Sequence, residues 1–236
     1  MQLFYNPDLL ITSKEITFNK DESRHIIRVL RKKEGDILHI TNGNGILFFA
    51  EIIIGNDKKC IAKIIKYEEK PSTRDYYLHV AIAPTKNNDR LEWFLEKATE
   101  IGIDEITPII CKNSERKVVK VDRLERIIQS AMKQSLQFTL PKLNPPINFS
   151  DFIKNDFSEE IFIAHCENDT EKKFLKKVAS LTSKYTVLIG PEGDFSPEEI
   201  QESLNKKFIP ISLGKNRLRT ETAGLNVVQS ISYLHQ

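Results

Sequence analysis

Two segments near the carboxyl end hold residues suited to chemistry on a polar ligand. One is Ile189-Gly190-Pro191-Glu192-Gly193-Asp194-Phe195-Ser196; the other runs Leu213-Gly214-Lys215-Asn216-Arg217-Leu218-Arg219-Thr220-Glu221-Thr222-Ala223-Gly224. Four of the nine glycines (Gly190, Gly193, Gly214 and Gly224) fall in them. Glycine lets a backbone approach a ligand closely or take positive φ. Two such loops side by side would offer N–H and C=O groups to a planar, polar group such as adenine. Either loop alone reads equally well as a strand ended by glycine; the pair together favours a ligand.

Familiar fingerprints are absent. There is no G-x-x-x-x-G-K-[ST], so no phosphate loop of that type. Gly43-Asn44-Gly45-Ile46-Leu47-Phe48 begins like a dinucleotide motif, but Phe48 stands where the third glycine belongs and the segment reads as a hairpin, not a helix start. Ser135, Ser196 and Ser212 lie in no G-x-S-x-G elbow, so a hydrolase triad has no support. No His/Cys/Asp/Glu cluster has metal-ligand spacing, so no metal is expected. His79 and His165 read as strand positions, and Trp93, beside Phe94, as a packing residue.

The elements that must position the loops are legible. Before Pro71, short β-type runs dominate: Gln2–Tyr5, Glu15–Phe18, Asp36–Thr41, Ile46–Ile54 and Cys60–Tyr67, with Asn42-Gly43-Asn44-Gly45 as a hairpin turn. One helical stretch, Glu22–Leu30, interrupts them. The pattern suggests a small β-barrel or roll. After Pro71, β-type runs at Tyr76–Ala83, Glu105–Cys111, Glu160–Cys166, Thr186–Gly190 and Phe208–Leu213 alternate with helical periodicities. Leu91, Phe94, Leu95, Ala98 and Ile101 mark one helix, stopped by Gly102. Asp122 is placed to cap a second, through Leu124, Ile127, Ile128 and Ala131. Phe174, Val178 and Leu181 mark a third. Ser196-Pro197-Glu198-Glu199 is a capping-box start for a fourth, and Ala223, Val227, Ile231 and Leu234 mark a fifth. The fold class is therefore α/β, with a mostly parallel sheet behind a β-rich start. In such sheets ligands gather at the carboxyl ends of strands, where both glycine-bearing loops lie.

Length and composition agree with an ordinary folded protein: 236 residues, 40% apolar, 29% charged, net charge +2. That charge excludes a protein held to nucleic acid by bulk charge alone, but not one with local basic patches. Cys60, Cys111 and Cys166 are odd in number and far apart, so a reducing, cytoplasmic setting is expected. No apolar run approaches the ~20 residues that span a bilayer, and MQLFYNPDLL lacks the features of a signal peptide.

The loops IGPEGDFSPEE and SLGKNRLRTETAG, together with HIIRVLRKKEGD, KNNDRLEWFLEKATEIGIDEITPI and AMKQS, resemble the ribosomal RNA small subunit methyltransferase E family, of the knotted SPOUT class. The five motifs occur in order along nearly the whole chain. The resemblance implies a PUA-like RNA-binding domain at 1–72 and an S-adenosylmethionine-dependent methyltransferase domain with a trefoil knot at 73–236. It implies methyl transfer to N3 of one uridine in 16S ribosomal RNA, and a homodimer. By position the cofactor residues are Gly190, Glu192, Gly193, Leu213, Gly214, Leu218, Arg219 and Thr220, acting largely through main-chain atoms. Rival readings are an RNA-binding protein without activity and a SPOUT enzyme acting on transfer RNA. The chain departs from the family in four places: Asp194 replaces a glycine, Lys133 an acid, and Leu136-Gln137 a glycine–arginine pair, which weakens any RNA grip there while Gln134 and Ser135 remain available.

An activated methyl requires alignment of the uracil nitrogen and removal of its proton. Glu221 is the only acid in its motif and is the candidate base. Arg219 is the candidate to stabilise negative charge on uracil O2 or O4. The competing structural reading makes Thr220 a helix N-cap and Glu221 a first-turn acid. For RNA, Arg24, His25, Arg28, Arg31, Lys32 and Lys33 crowd one stretch, with the three arginines on one side of a helix. Lys112, Arg116, Lys117, Lys120, Arg123 and Arg126 form a second basic run, which reads equally as a solvated face. Net charge is +2 over 1–70, +2 over 71–150 and −2 over 151–236, so the positive excess lies away from the cofactor loops.

Overall fold

The structure, a computed structural model, describes residues 1–157, 160–167, 172–181 and 184–236. Two compact units emerge: Met1–Thr73 with Met132–Leu140, and Arg74–Ala131 with Pro141–Gln236.

In the first unit, β1 (Leu3–Tyr5), β2 (Glu15–Thr17), β3 (Ile37–Thr41), β4 (Ile46–Ile54) and β5 (Ile61–Glu69) form one sheet in the order β1-β3-β4-β5-β2. Alternation along the strands turns Leu38, Ile40, Phe48, Ala50, Ile52 and Ala62 into a shared core. The turn between β3 and β4 is the expected hairpin, with Gly43 and Gly45 at φ 77° and 76°. Residues 138–140 close over it: Gly45 N–H donates to the Phe138 carbonyl (2.8 Å) and Leu140 N–H to the Gly43 carbonyl (2.8 Å).

The helical stretch of this unit is α1 (Lys20–Arg24), N-capped by Asn19, running on into one π-helical turn, His25–Val29. The expected alignment of Arg24, Arg28 and Arg31 on one side needs a helix that continues through Arg31, and the helical stretch stops at Val29. Arg31 has left the helix altogether, at φ 55°.

The second unit contains β6 (Tyr77–Ile82), α2 (Asn88–Ile101), β7 (Glu105–Ile110), α3 (Val121–Gln134, its last three residues counted with the first unit), β8 (Lys142–Leu143), β9 (Ile147–Asn148), α4 (Phe149–Phe152), β10 (Glu160–Ala164), β11 (Lys173–Phe174), α5 (Leu175–Val178), β12 (Lys184–Ile189), α6 (Pro197–Asn205), β13 (Ile209–Ser212) and α7 (Thr220–Leu234). Its sheet runs β11-β13-β10-β12-β6-β7-β8, with β9 also on β7, and every pairing is parallel. Central strands such as Tyr185–Ile189 are buried along their length, as a parallel sheet covered on both faces requires. No helix among the described residues is long and apolar enough to cross a membrane.

Helix α2 buries Leu91, Phe94, Leu95 and Ala98 and ends on Gly102 at φ 120°. Ser196 and Glu199 form the capping box of α6. Other expectations need correction. Trp93 is 42% exposed, outside the packing that holds Phe94. Asp122 falls inside the first turn of α3 rather than at its cap. The helix expected through Phe174, Val178 and Leu181 is a two-residue strand and a single turn, and Leu181 is 75% exposed. Strands β8, β9 and β11 have two residues each, too few to leave a periodic trace.

The end of α3 shows what one departure in the sequence, Leu136, does to the backbone. Gln137 N–H donates to the Met132 carbonyl (3.0 Å) and Leu136 N–H to that of Lys133 (3.3 Å), a Schellman close that puts Leu136 at φ 56°. That conformation suits glycine and strains a leucine. Leu136→Gly is expected to raise stability by about 0.5–1 kcal/mol, after the added freedom of the unfolded chain is deducted. Urea unfolding with an unchanged slope would report it.

Candidate functional site

The loop after β12 (Gly190–Ser196) and the loop after β13 (Leu213–Arg219) lie against each other at the carboxyl edge of the sheet. Two hydrogen bonds join them. Thr220 Oγ1 donates to the Gly190 carbonyl (3.1 Å) and Arg217 Nη2 to that of Glu192 (3.1 Å). Together with the end of β10 and the start of α7 they enclose a cleft of about 560 Å³, within the roughly 300–1,000 Å³ usual for small-molecule and cofactor sites.

Of the eight candidate cofactor residues, Gly190, Glu192, Leu213, Gly214, Leu218, Arg219 and Thr220 line this cleft. Gly193 sits outside the lining, against Asn113, whose Nδ2 donates to the Gly193 carbonyl (3.2 Å). The glycines serve different ends. A Cβ on Gly190 would stand 3.0 Å from the Phe195 ring, and one on Gly224 2.7 Å from Phe94 Cε2, so packing explains both. A Cβ on Gly214 would meet nothing within 4 Å, which leaves open space for a ligand at that point.

Asp194 shows how the chain does without a glycine there. Its backbone is left-handed, φ 63°. Its N–H donates to the Pro191 carbonyl (2.9 Å), Oδ1 accepts from Phe195 N–H (2.9 Å) and Oδ2 from Cys166 N–H (2.7 Å). Aspartate tolerates this conformation because its short side chain bonds locally. Glu192 is held by Lys86 N–H on Oε1 (2.9 Å), while its Oε2 is buried without a partner among the described residues. An orphaned carboxylate oxygen beside an open cleft fits a polar ligand.

The two catalytic candidates are placed differently. Arg219 is exposed on the cleft and occupies the N-cap position of α7, so Thr220 is the first helical residue rather than the cap. Glu221 follows on the first turn, 7% exposed, outside the cleft lining. Its Oε1 lies 3.7 Å from Arg90 Nε, and its Oε2 is shielded and unpartnered among the described residues. Arg90 was not singled out in the sequence, because one arginine in the first turn of an amphipathic helix carries no signal of its own.

The end of β10 was also missed as a contributor. His165, Cys166 and Lys172 line the cleft. Lys172 Nζ donates to the carbonyls of His165 (3.1 Å) and Glu167 (2.6 Å). Burial lowers the His165 pKa, nearby Lys172 lowers it further, and Asp194 and Glu167 pull the other way. The charge of the lining differs from that of its sequence third: Lys172, Lys215, Arg217 and Arg219 face two acids, Glu192 and Asp194.

The basic stretch of the first unit is partly committed. Arg28 pairs with Asp57 (2.7 Å) and His25 packs against Phe4, ring centroids 6.2 Å apart, whereas Arg24, Arg31 and Lys33 are exposed and Lys32 is half-buried. In the second basic run, Lys112 pairs with Glu198, Arg123 with Glu92, and Arg116 donates to the carbonyls of Thr85 and Lys86.

Residues 72–232 match the RNA methyltransferase domain family and residues 18–65 the RNA methyltransferase PUA domain. The ribosomal RNA small subunit methyltransferase E of Rickettsia conorii is 30% identical over 236 residues, covering 99% of this chain and 95% of that protein. A probable rRNA methyltransferase from Porphyromonas gingivalis has a solved structure similar to this one at TM-score 0.92 and 40% identity, over 100% of this chain and 98% of that one. The ribosomal RNA small subunit methyltransferase E from Neisseria gonorrhoeae, solved bound to S-adenosyl methionine, is similar at TM-score 0.85 and 26% identity, over 99% of this chain and 98% of that one. The family match spans most of the chain and the likeness to these relatives runs over nearly its whole length, and the chain belongs to the ribosomal RNA small subunit methyltransferase E family.

Proposed function

We propose that this protein transfers a methyl group from S-adenosylmethionine to N3 of a specific uridine in 16S ribosomal RNA. The observation that carries the reading is the pair of hydrogen-bonded loops, 190–196 and 213–219, opening on one cleft in a chain of this family. The cofactor, when bound, supplies an activated methyl group. The chain's own part is to hold and orient. Gly190, Glu192, Leu213, Gly214, Leu218, Arg219 and Thr220 hold the cofactor, mostly through main-chain groups, and Gly193 supports their loop through Asn113. Arg219 stabilises negative charge on uracil O2 or O4, and Glu221 takes the N3 proton. Arg24, His25, Arg28, Arg31, Lys32 and Lys33, in the PUA-like part spanning 1–72, grip phosphate groups that position the substrate; residues 73–236 carry the transfer.

The contact of the segment after β13 with the loop after β12 supports the trefoil crossing expected of a SPOUT enzyme. Exposed Trp93 on α2 and Tyr233 on α7 support a homodimer. The working compartment is the cytoplasm, where the small subunit is made.

The test is mass spectrometry of 16S ribosomal RNA from cells with and without the protein, joined to calorimetry with S-adenosylhomocysteine. The expected result is micromolar binding and one 3-methyluridine lost on deletion. A methyl missing from transfer RNA instead, or no binding of the nucleoside, would overturn the proposal.

A further inference from the structure

Among the groups lining the cleft, His165 stands out as a side chain whose bonding is incomplete. It follows β10 directly and is 7% exposed. Neither Nδ1 nor Nε2 reaches solvent, and neither has a hydrogen-bond partner among the described residues. Its accessible surface therefore belongs to other atoms of the residue. A buried imidazole with two unmade bonds is costly, and the backbone on either side of it is tied by hydrogen bonds. The His165 carbonyl is held by Lys172 Nζ, and the next N–H, that of Cys166, by Asp194 Oδ2. The ring itself can turn. A half-turn about χ2 exchanges the nitrogens with Cδ2 and Cε1, and histidine χ2 is roughly two-fold in its preferences.

We infer that His165 recognises the ribose of the cofactor, turning its ring so that a nitrogen meets a 2′- or 3′-hydroxyl. The inference rests on reading the cleft as the cofactor site. Its chemistry follows from the state of the ring. Burial and Lys172 favour the neutral imidazole, which carries one N–H donor and one lone pair. The hydroxyls are the cofactor's groups that both donate and accept, so they suit either nitrogen. The ammonium and the adenine amino group donate, and the adenine ring nitrogens accept. A carboxylate would draw a proton onto the ring, against burial and against Lys172.

Calorimetry on the full chain tests this with S-adenosylhomocysteine and its 2′,3′-dideoxy analogue, against the wild type and His165→Phe. Loss of the hydroxyls is expected to weaken binding to the wild type by about tenfold or more. His165→Phe should lose a similar factor towards the parent nucleoside and nothing further towards the dideoxy compound, the non-additivity expected of interacting partners. If the hydroxyls matter as much to the variant as to the wild type, His165 does not hold the ribose. If the wild type ignores S-adenosylhomocysteine altogether, the cofactor reading of the cleft fails first. Should the variant not fold, the imidazole nitrogen shifts of the unmutated protein decide: they should move on adding S-adenosylhomocysteine and stay still with the dideoxy compound. Equal movement with both would overturn the inference.

Discussion

Glu221→Gln is expected to bind S-adenosylhomocysteine as the wild type does while methylating small subunits about 10²- to 10⁴-fold more slowly, the range a positioned general base contributes. The substitution keeps size and shape in a site only 7% exposed, so the first turn of α7 retains its packing. What changes is the ability to accept a proton. Glu221 lies beside Thr220, whose hydroxyl is bonded to the Gly190 carbonyl in the cofactor loop, so this stretch of α7 is tied to the cleft even though the carboxylate itself sits behind its wall. Arg90 Nε stands 3.7 Å from Oε1, and the second oxygen, Oε2, is unpartnered among the described residues. Single-turnover methylation with saturating cofactor is the measurement. An unaltered rate constant would remove Glu221 from the mechanism and leave it as a packing acid at a helix start.

The second large effect separates two glycines of the same loop-and-helix segment. Gly214→Val places a side chain where a Cβ meets no protein atom within 4 Å. Stability should stay within about 0.5 kcal/mol, while affinity for S-adenosylhomocysteine falls by a factor of roughly ten or more, the scale of lost complementarity in a snug site. Gly224→Ala should do the opposite. Its Cβ would stand 2.7 Å from Phe94 Cε2 and 3.0 Å from Ile82 Cδ1, so α7 must move off α2 and β6. Overpacking of this kind costs about 1–3 kcal/mol, or roughly 2–12 °C in melting temperature for a chain of this size. Paired thermal melts and calorimetry check both halves. If both variants lose stability and neither loses affinity, Gly214 does not face the ligand.

The sheet was legible because each long strand leaves a run of β-branched and apolar residues, and its loops because glycine and proline punctuate them. Ser196-Pro197-Glu198-Glu199 located a helix start to the residue, since three independent signals coincide there. The failures have physical sources. Two-residue strands such as Lys142–Leu143 have no period to detect. Nothing in the residues around Leu30 announces the end of the helix at Val29, so Arg31, at φ 55°, was counted on a helical face that it has already left. His165 reaches the cleft from the end of β10 and Lys172 from just before β11, strands that lie next to β12 or β13 only in the folded sheet. Arg90 meets Glu221 across 131 positions of chain. Contacts of that separation come from strand order, which composition and spacing do not encode.

Asp194 has a consequence for how tightly a ligand can be held. A glycine at that turn would be free to wander between conformations, and closing on a ligand would first have to quench that wandering. Here the carboxylate clasps Cys166 N–H on the neighbouring strand end and Phe195 N–H beside it. The turn is thus moulded before anything arrives, and less of the association free energy is consumed in freezing it.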